Sequence, residues 1–164
     1  MTRRRGRAPR GARVIGAVPR NHGANLTCLM AIAPAGVLEP CVFEGAVDGP
    51  LFQQWLTTWL LPKLPAGTTI VLDNLSVHRS PAVRKAVTAA HCHLRYLPSY
   101  SPDFNPIEQI FAKLKTHLRG AAARTPDTLI TAIGEGLNRV TAQDIAGCYR
   151  HCGFPLPESE GQHS

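Results

Sequence analysis

"YSPDFNPIEQIFAKLK", residues 100–115, is a proline-rich loop that runs straight into an amphipathic stretch. Asn105 is a favoured N-cap residue, and Pro106 then falls at the first helical position, where no backbone N–H is missed. Glu108 follows Asn105 by three residues, the spacing of a capping box, and an acid in the first turn suits the helix dipole. Ile107, Phe111, Leu114 and Leu118 form an apolar stripe that predicts packing on a sheet. Glu108, Ala112, Lys115 and Arg119 form a second stripe, one residue step round the wheel. Two readings of Glu108 therefore stand together. It starts a helix on an ordinary solvated face, or it is a carboxylate ligand in line with a small residue and two cations, an arrangement that suits a metal beside a phosphate backbone.

Upstream, the chain alternates. "HLRYLP" (93–98) reads as a short strand, and "SPAVRKAVTAA" (80–90) as a helix with Ser80 at its N-cap. "TTIVLDN" (68–74) reads as a buried strand that ends in polar residues. "GPLFQQWLTTWLLPKL" (49–64) reads as one helix, with Leu51, Trp55, Leu56, Trp59 and Leu60 at helical spacing and both tryptophans in the core. Further upstream, "ARVIGAV" (12–18) and "LTCLMAIAP" (26–34) read as an antiparallel pair around the turn "RNHGAN". "GVLEPCVFEG" (36–45) reads as a third strand, with Pro40 marking an edge or a bulge. Downstream, the long helix stops near Gly120, and two more helices start at the N-cap candidates Thr125 and Thr141. The order predicts a mixed α/β sheet covered by helices. The expected organisation is a basic arm (1–12), a partial α/β core (13–120), C-terminal helices (121–155) and a tail (156–164).

The chain has 164 residues, 44% of them hydrophobic, enough for a real core, and carries a net charge of +7. Arg3, Arg4, Arg5, Arg7, Arg10 and Arg13 crowd the start, and no acid precedes Glu39. Such a balance points to an anionic partner, nucleic acid ahead of a merely solvated arm. Five cysteines show no paired metal spacing, and an odd count suits a reducing setting. No run is long and apolar enough to span a membrane, and the N-terminus lacks the apolar segment of a secretory signal.

Asp73 directly follows a buried strand, where open α/β sheets gather functional groups. Its plainer reading is a loop-starting Asp that bonds nearby backbone. If the strands before Asp73 and before Glu108 pair in parallel, both carboxylates come to one sheet edge. Hard oxygen ligands of this kind suit Mg²⁺ or Mn²⁺. Asn74 and His78 lie near Asp73 and are candidates to support it, although His78 reads equally as a plain loop residue. Glu39, Glu44, Asp48 and Asp103 are given no catalytic role.

"VLDNLSVH" (71–78), followed by "YLPSYSPDFNPIEQIFAKLK" (96–115), resembles the DDE-type transposases of bacterial insertion sequences related to the mariner group. The resemblance runs from "RGRAPRG" (5–11) to about Phe154, and "LPSYSPDFNPIE" (97–108) is its most specific part. Thirty-four residues lie between Asp73 and Glu108, which also matches. The resemblance implies an RNase H-like fold in which three carboxylates and two divalent ions, Mg²⁺ or Mn²⁺, serve DNA cleavage and strand transfer. By motif, Asp73 corresponds to the second Asp and Glu108 to the final Glu. Arg3, Arg4, Arg5, Arg7, Arg10, Lys115 and Arg119 are the expected DNA contacts, and Asn74 and His78 the supporting groups.

The family's first strand, with its Asp, and a helix-turn-helix region lie before the segment matching "RGRAPRG". The expectation is therefore an N-terminally truncated piece, catalytically incomplete alone, acting in the cytoplasm at the bacterial nucleoid. The alternative is a non-catalytic basic fragment that binds DNA or dimerises and modulates a full-length transposase; a third reading, a different RNase H-like nuclease, is disfavoured by the loop "LPSYSPDFNPIE".

Overall fold

The computed structural model describes residues 25–99 and 101–155. The arginine arm, the expected strand at 12–18 and the tail at 156–164 lie outside the described residues.

Strand β1 (Leu26–Ala33) pairs antiparallel with β2 (Gly36–Glu44), from Leu26 opposite Glu44 to Ala33 opposite Gly36. The expected third strand is thus the hairpin partner of the second. The two-residue connection Pro34–Ala35 closes that hairpin, and so short a loop costs little closure entropy. The irregularity expected at Pro40 is present. Register passes from Leu29–Cys41 to Ala31–Leu38, so Glu39 and Pro40 stand opposite Met30 alone. Glu39 takes a positive φ of 46° there. Its carbonyl, lost to the ladder, accepts from the Trp55 indole N–H at 2.9 Å.

Helix α1 (Gly49–Trp55) is capped by Asp48, whose carboxylate accepts from the Leu51 N–H at 2.9 Å. The single helix expected over 49–64 changes pitch twice, to a π turn at Leu56–Leu60 and a 3₁₀ turn at Leu61–Lys63. Pro62 cannot donate and crowds the preceding turn, so the regular ladder cannot continue through it. The wider turn lets Leu56, Leu60 and Leu61 all face inward, at 0%, 3% and 7% exposure.

Strand β3 (Thr69–Leu72) runs parallel to β4 (His93–Tyr96), in register from Thr69–His93 to Leu72–Tyr96. Between them lie a 3₁₀ turn (Ser76–Arg79) and helix α2 (Pro81–Ala89), capped by the Ser80 hydroxyl. The α/β class is as expected. Among the described residues its strands form two two-stranded sheets, the hairpin and the parallel pair, with no ladder between them. Side-chain packing joins them.

Helix α3 (Pro106–Ala121), ending at a left-handed Ala122, is followed by α4 (Pro126–Asn138) and α5 (Ala142–His151). Thr125 and Thr141 cap the last two with reciprocal boxes, as the sequence indicates. Two cores result. In one, Met30 meets Ile110, Leu114, Ile133 and Ile145; in the other, Phe52, Trp55 and Leu56 meet Ile70, Val83 and Val87. Cys28 and Ile32 pack against the first core, Leu29 and Ala31 against the second. Alternate residues of β1 thus face opposite ways, and the hairpin is the wall between the cores. Each fully buried Leu or Ile contributes roughly 1.5–3 kcal/mol, which gives α4 and α5 a large share in holding α3.

Candidate active site

The parallel pairing of β3 and β4 sends both strands out of the same end of the sheet. Asp73 is the next residue after β3. The ladder extends by one bond, from the Leu97 N–H to the Leu72 carbonyl at 2.8 Å. The Asn74 side-chain amide then donates to the Ser99 hydroxyl at 2.7 Å, tying the two exit loops together. From there the chain passes through a 3₁₀ turn at Pro102–Phe104 and enters α3. The segment that delivers Glu108 therefore starts from the same sheet end that carries Asp73.

Asp73 is well occupied. Its Oδ1 accepts from the Leu75 backbone N–H at 3.0 Å and from His78 Nδ1 at 2.6 Å. The first bond is the Asx-type turn that a plain loop aspartate makes. The second brings the His78 ring onto the carboxylate. Asn74, the other supporting candidate, bonds the Ser99 loop instead of the carboxylate. Two contributors were missed by the sequence reading. The Tyr96 hydroxyl donates to the His78 carbonyl at 2.9 Å, and the Phe52 ring lies 4.4 Å from the His78 ring, centroid to centroid. Parallel register was the available signal for Tyr96, since it places that residue beside Leu72, next to Asp73.

Glu108 separates its two readings. Asn105 occupies the N-cap position, yet its side chain makes no cap bond; only its carbonyl accepts, from the Glu108 N–H at 3.1 Å. The expected capping box is therefore absent. With φ −107° and ψ 101°, Asn105 is extended, and the rigid loop through Pro102 and Pro106 sets the helix start in its place. Glu108 is exposed, and among the described residues its carboxylate has no recorded hydrogen bond or ion pair. Ala112, Lys115 and Arg119 are exposed on the same stripe. The apolar stripe packs as expected, with Leu114 and Leu118 buried, Ile107 and Phe111 partly so, and Ile110 added at 1% exposure.

Two of the other acids have local work. Asp48 caps α1 and Glu39 pairs with Lys63. A hard divalent ion needs oxygen donors, and Asp73 and Glu108 are of that chemistry. Their number falls short of a closed site: among the described residues no three His, Cys, Asp or Glu side chains gather in a metal-holding group. None of the described helices is long and apolar enough to cross a membrane.

A parallel pair with an acid at its carboxyl end, a hairpin, and helices packed on both faces of that hairpin fit the RNase H-like α/β class expected from the sequence. The family model for the DDE superfamily endonuclease matches residues 1–130, and the chain belongs to that family. It is 35% identical to the Tc1 transposase of Caenorhabditis elegans over 77 residues, which are 47% of this chain and 28% of that protein. The chain thus matches well under half the length of this relative. Its fold is similar to that in the crystal structure of the Mos1 strand transfer complex, with a TM-score of 0.74 at 18% identity, over 93% of this chain and 47% of that one. A Mos1 transposase catalytic domain solved with raltegravir and Mg gives 0.63 at 15% identity, over 79% of this chain and 78% of that one.

Proposed function

We propose that this chain is the metal-binding part of a transposase catalytic domain that cuts DNA strands and joins them to a target. The observation that carries the reading is the family match over residues 1–130, which spans both Asp73 and Glu108. The two carboxylates are the metal ligands in this proposal, with Mg²⁺ or Mn²⁺ as the ion. A bound ion would supply charge neutralisation at a phosphodiester and a better attacking oxygen. The protein's own share is placement. Asp73 is fixed at the sheet end, Glu108 is held in the first turn of a helix anchored by Ile110 and Leu114, and Lys115 and Arg119 offer positive charge to the DNA backbone.

Two carboxylates leave such an ion short of anionic ligands, so Asp73 and Glu108 alone should hold it weakly. Calorimetric titration with Mn²⁺ tests the assignment. Weak uptake is expected, lowered by Asp73→Asn and by Glu108→Gln. An element-end duplex should stay uncut by this chain with Mn²⁺. Mn²⁺ uptake unchanged by Glu108→Gln would return Glu108 to a helix-starting role. Undiminished DNA binding without any Mn²⁺ uptake would favour the non-catalytic DNA-binding reading.

A further inference from the structure

Among the described residues, the Asp73 carboxylate is held through Oδ1 alone. We propose that His78 is the positioning residue of Asp73: its Nδ1–H fixes Oδ1 and leaves Oδ2 as the single oxygen presented to a divalent ion. This rests on the reading of Asp73 as a metal ligand.

Oδ1 accepts two hydrogen bonds, from the Leu75 N–H at 3.0 Å and from His78 Nδ1 at 2.6 Å. A carboxylate oxygen has two lone pairs, so Oδ1 is filled by these donors. An ionised carboxylate only accepts, so the proton between the two side chains belongs to Nδ1, and the bond selects that tautomer.

His78 is itself held from outside its own loop. Its ring lies on Phe52, which is 3% exposed in the second core. Its carbonyl accepts from the Tyr96 hydroxyl on β4 at 2.9 Å. Tyr96 in turn lies under the Arg84 guanidinium, 5.6 Å from its ring centroid. With its side chain 15% exposed against 36% for Asp73, His78 is the buried member of the pair and Asp73 the presented one. A histidine that merely closed the 73–78 loop would need neither the α1 contact nor the β4 contact. Those two grips carry the rigidity of the core to one carboxylate oxygen, as outer partners of metal ligands do.

The test uses the chain as it stands. In metal-free protein, ¹⁵N imidazole shifts should show His78 with its proton on Nδ1, and Asp73→Ala should release that preference. Mn²⁺ affinity, read by electron paramagnetic resonance, should fall roughly 10-fold or more in His78→Ala. His78→Asn puts an amide N–H near the position of Nδ1 and should recover most of the loss. His78→Gln reaches toward the Nε2 position and should not, although both variants lose the same stacking on Phe52 and should melt alike. Equal Mn²⁺ affinity in the Asn and Gln variants, or an Nε2–H tautomer in the wild type, overturns the inference while leaving the metal assignment standing. Mn²⁺ affinity unchanged by Asp73→Asn, or no uptake by the wild type, removes the metal assignment itself and this inference with it.

Discussion

The side chains of Asn74 and Ser99 join the loops that leave β3 and β4, with Nδ2 of Asn74 donating to the Ser99 hydroxyl across 2.7 Å. The bond is exposed, so its net worth is about 0.5–1.5 kcal/mol. Asn74→Ala and Ser99→Ala should each lower stability within that range, and the double variant should cost less than the sum of the two. Urea denaturation of the four proteins in a double-mutant cycle reads the coupling. Strict additivity would show that the two loops are held by something else.

Two glycines of α4 predict opposite outcomes. A Cβ on Gly136 would stand 2.6 Å from Leu114 Cδ1 and 2.9 Å from His117 Cδ2, whereas at Gly134 nothing lies within 4 Å. Gly136→Ala forces the Leu114 and His117 side chains to shift in a packed helix–helix contact and should cost about 1–3 kcal/mol despite its better helix propensity. Gly134→Ala keeps only the propensity gain and should stabilise by about 0.5–1 kcal/mol. Denaturant midpoints for the two variants should move in opposite directions from the wild type.

Asp144 gives the fold a pH dependence. Lys113 Nζ donates to its carboxylate at 2.6 Å, and the Thr141 backbone N–H and hydroxyl each donate at 2.9 Å. These donors, Lys113 first, hold its pKa down at about 2 from an ordinary 3.8. A depressed carboxylate pKa stabilises the fold above the ordinary value, and that contribution is lost as pH falls toward 2. Asp144→Asn should therefore melt below the wild type at pH 6, and the gap should close between pH 4 and pH 2. A gap that stays constant across that window would show that the charge on Asp144 does not contribute.

Most of the architecture was legible because its signals are local. Thr125, Thr141 and Ser80 announce their helices by capping chemistry, and Pro40 announces the bulge by lacking a donor. The pitch change inside 49–64 was not legible, since the spacing of Leu56, Leu60 and Leu61 fits a regular helix until Pro62 is weighed against the preceding turn. Asn105 misled for a related reason. Residue type gives a capping preference, but the backbone between Pro102 and Pro106 decides where the side chain goes. At the site, Asp73 was readable from its place after a strand, although that strand buries only Ile70 and leaves Val71 38% exposed, so the fully buried strand expected there is not what forms. The grip on His78 was not, because Phe52 and Tyr96 come from elements 26 and 18 residues away and meet it only through the fold.

DNA affinity should depend on salt in a way that names the face involved. Lys115 and Arg119 are exposed on the stripe that begins with Glu108, and the net charge of +7 favours any polyanion. Each cation that meets a duplex phosphate releases counterions and contributes about −0.9 to the slope of log affinity against log salt. If both side chains touch the backbone, Lys115→Ala with Arg119→Ala should flatten that slope by about twice this amount on any duplex sequence. Lys85, exposed on α2, is a control for charge alone, and Lys85→Ala should leave the slope near its wild-type value. Fluorescence anisotropy at four or five salt concentrations measures all three proteins. A slope that falls equally in the control would mean that total charge, not this face of α3, drives binding. A slope unmoved by the double substitution would take the α3 face out of the DNA interface and leave it as the solvated surface of an ordinary helix.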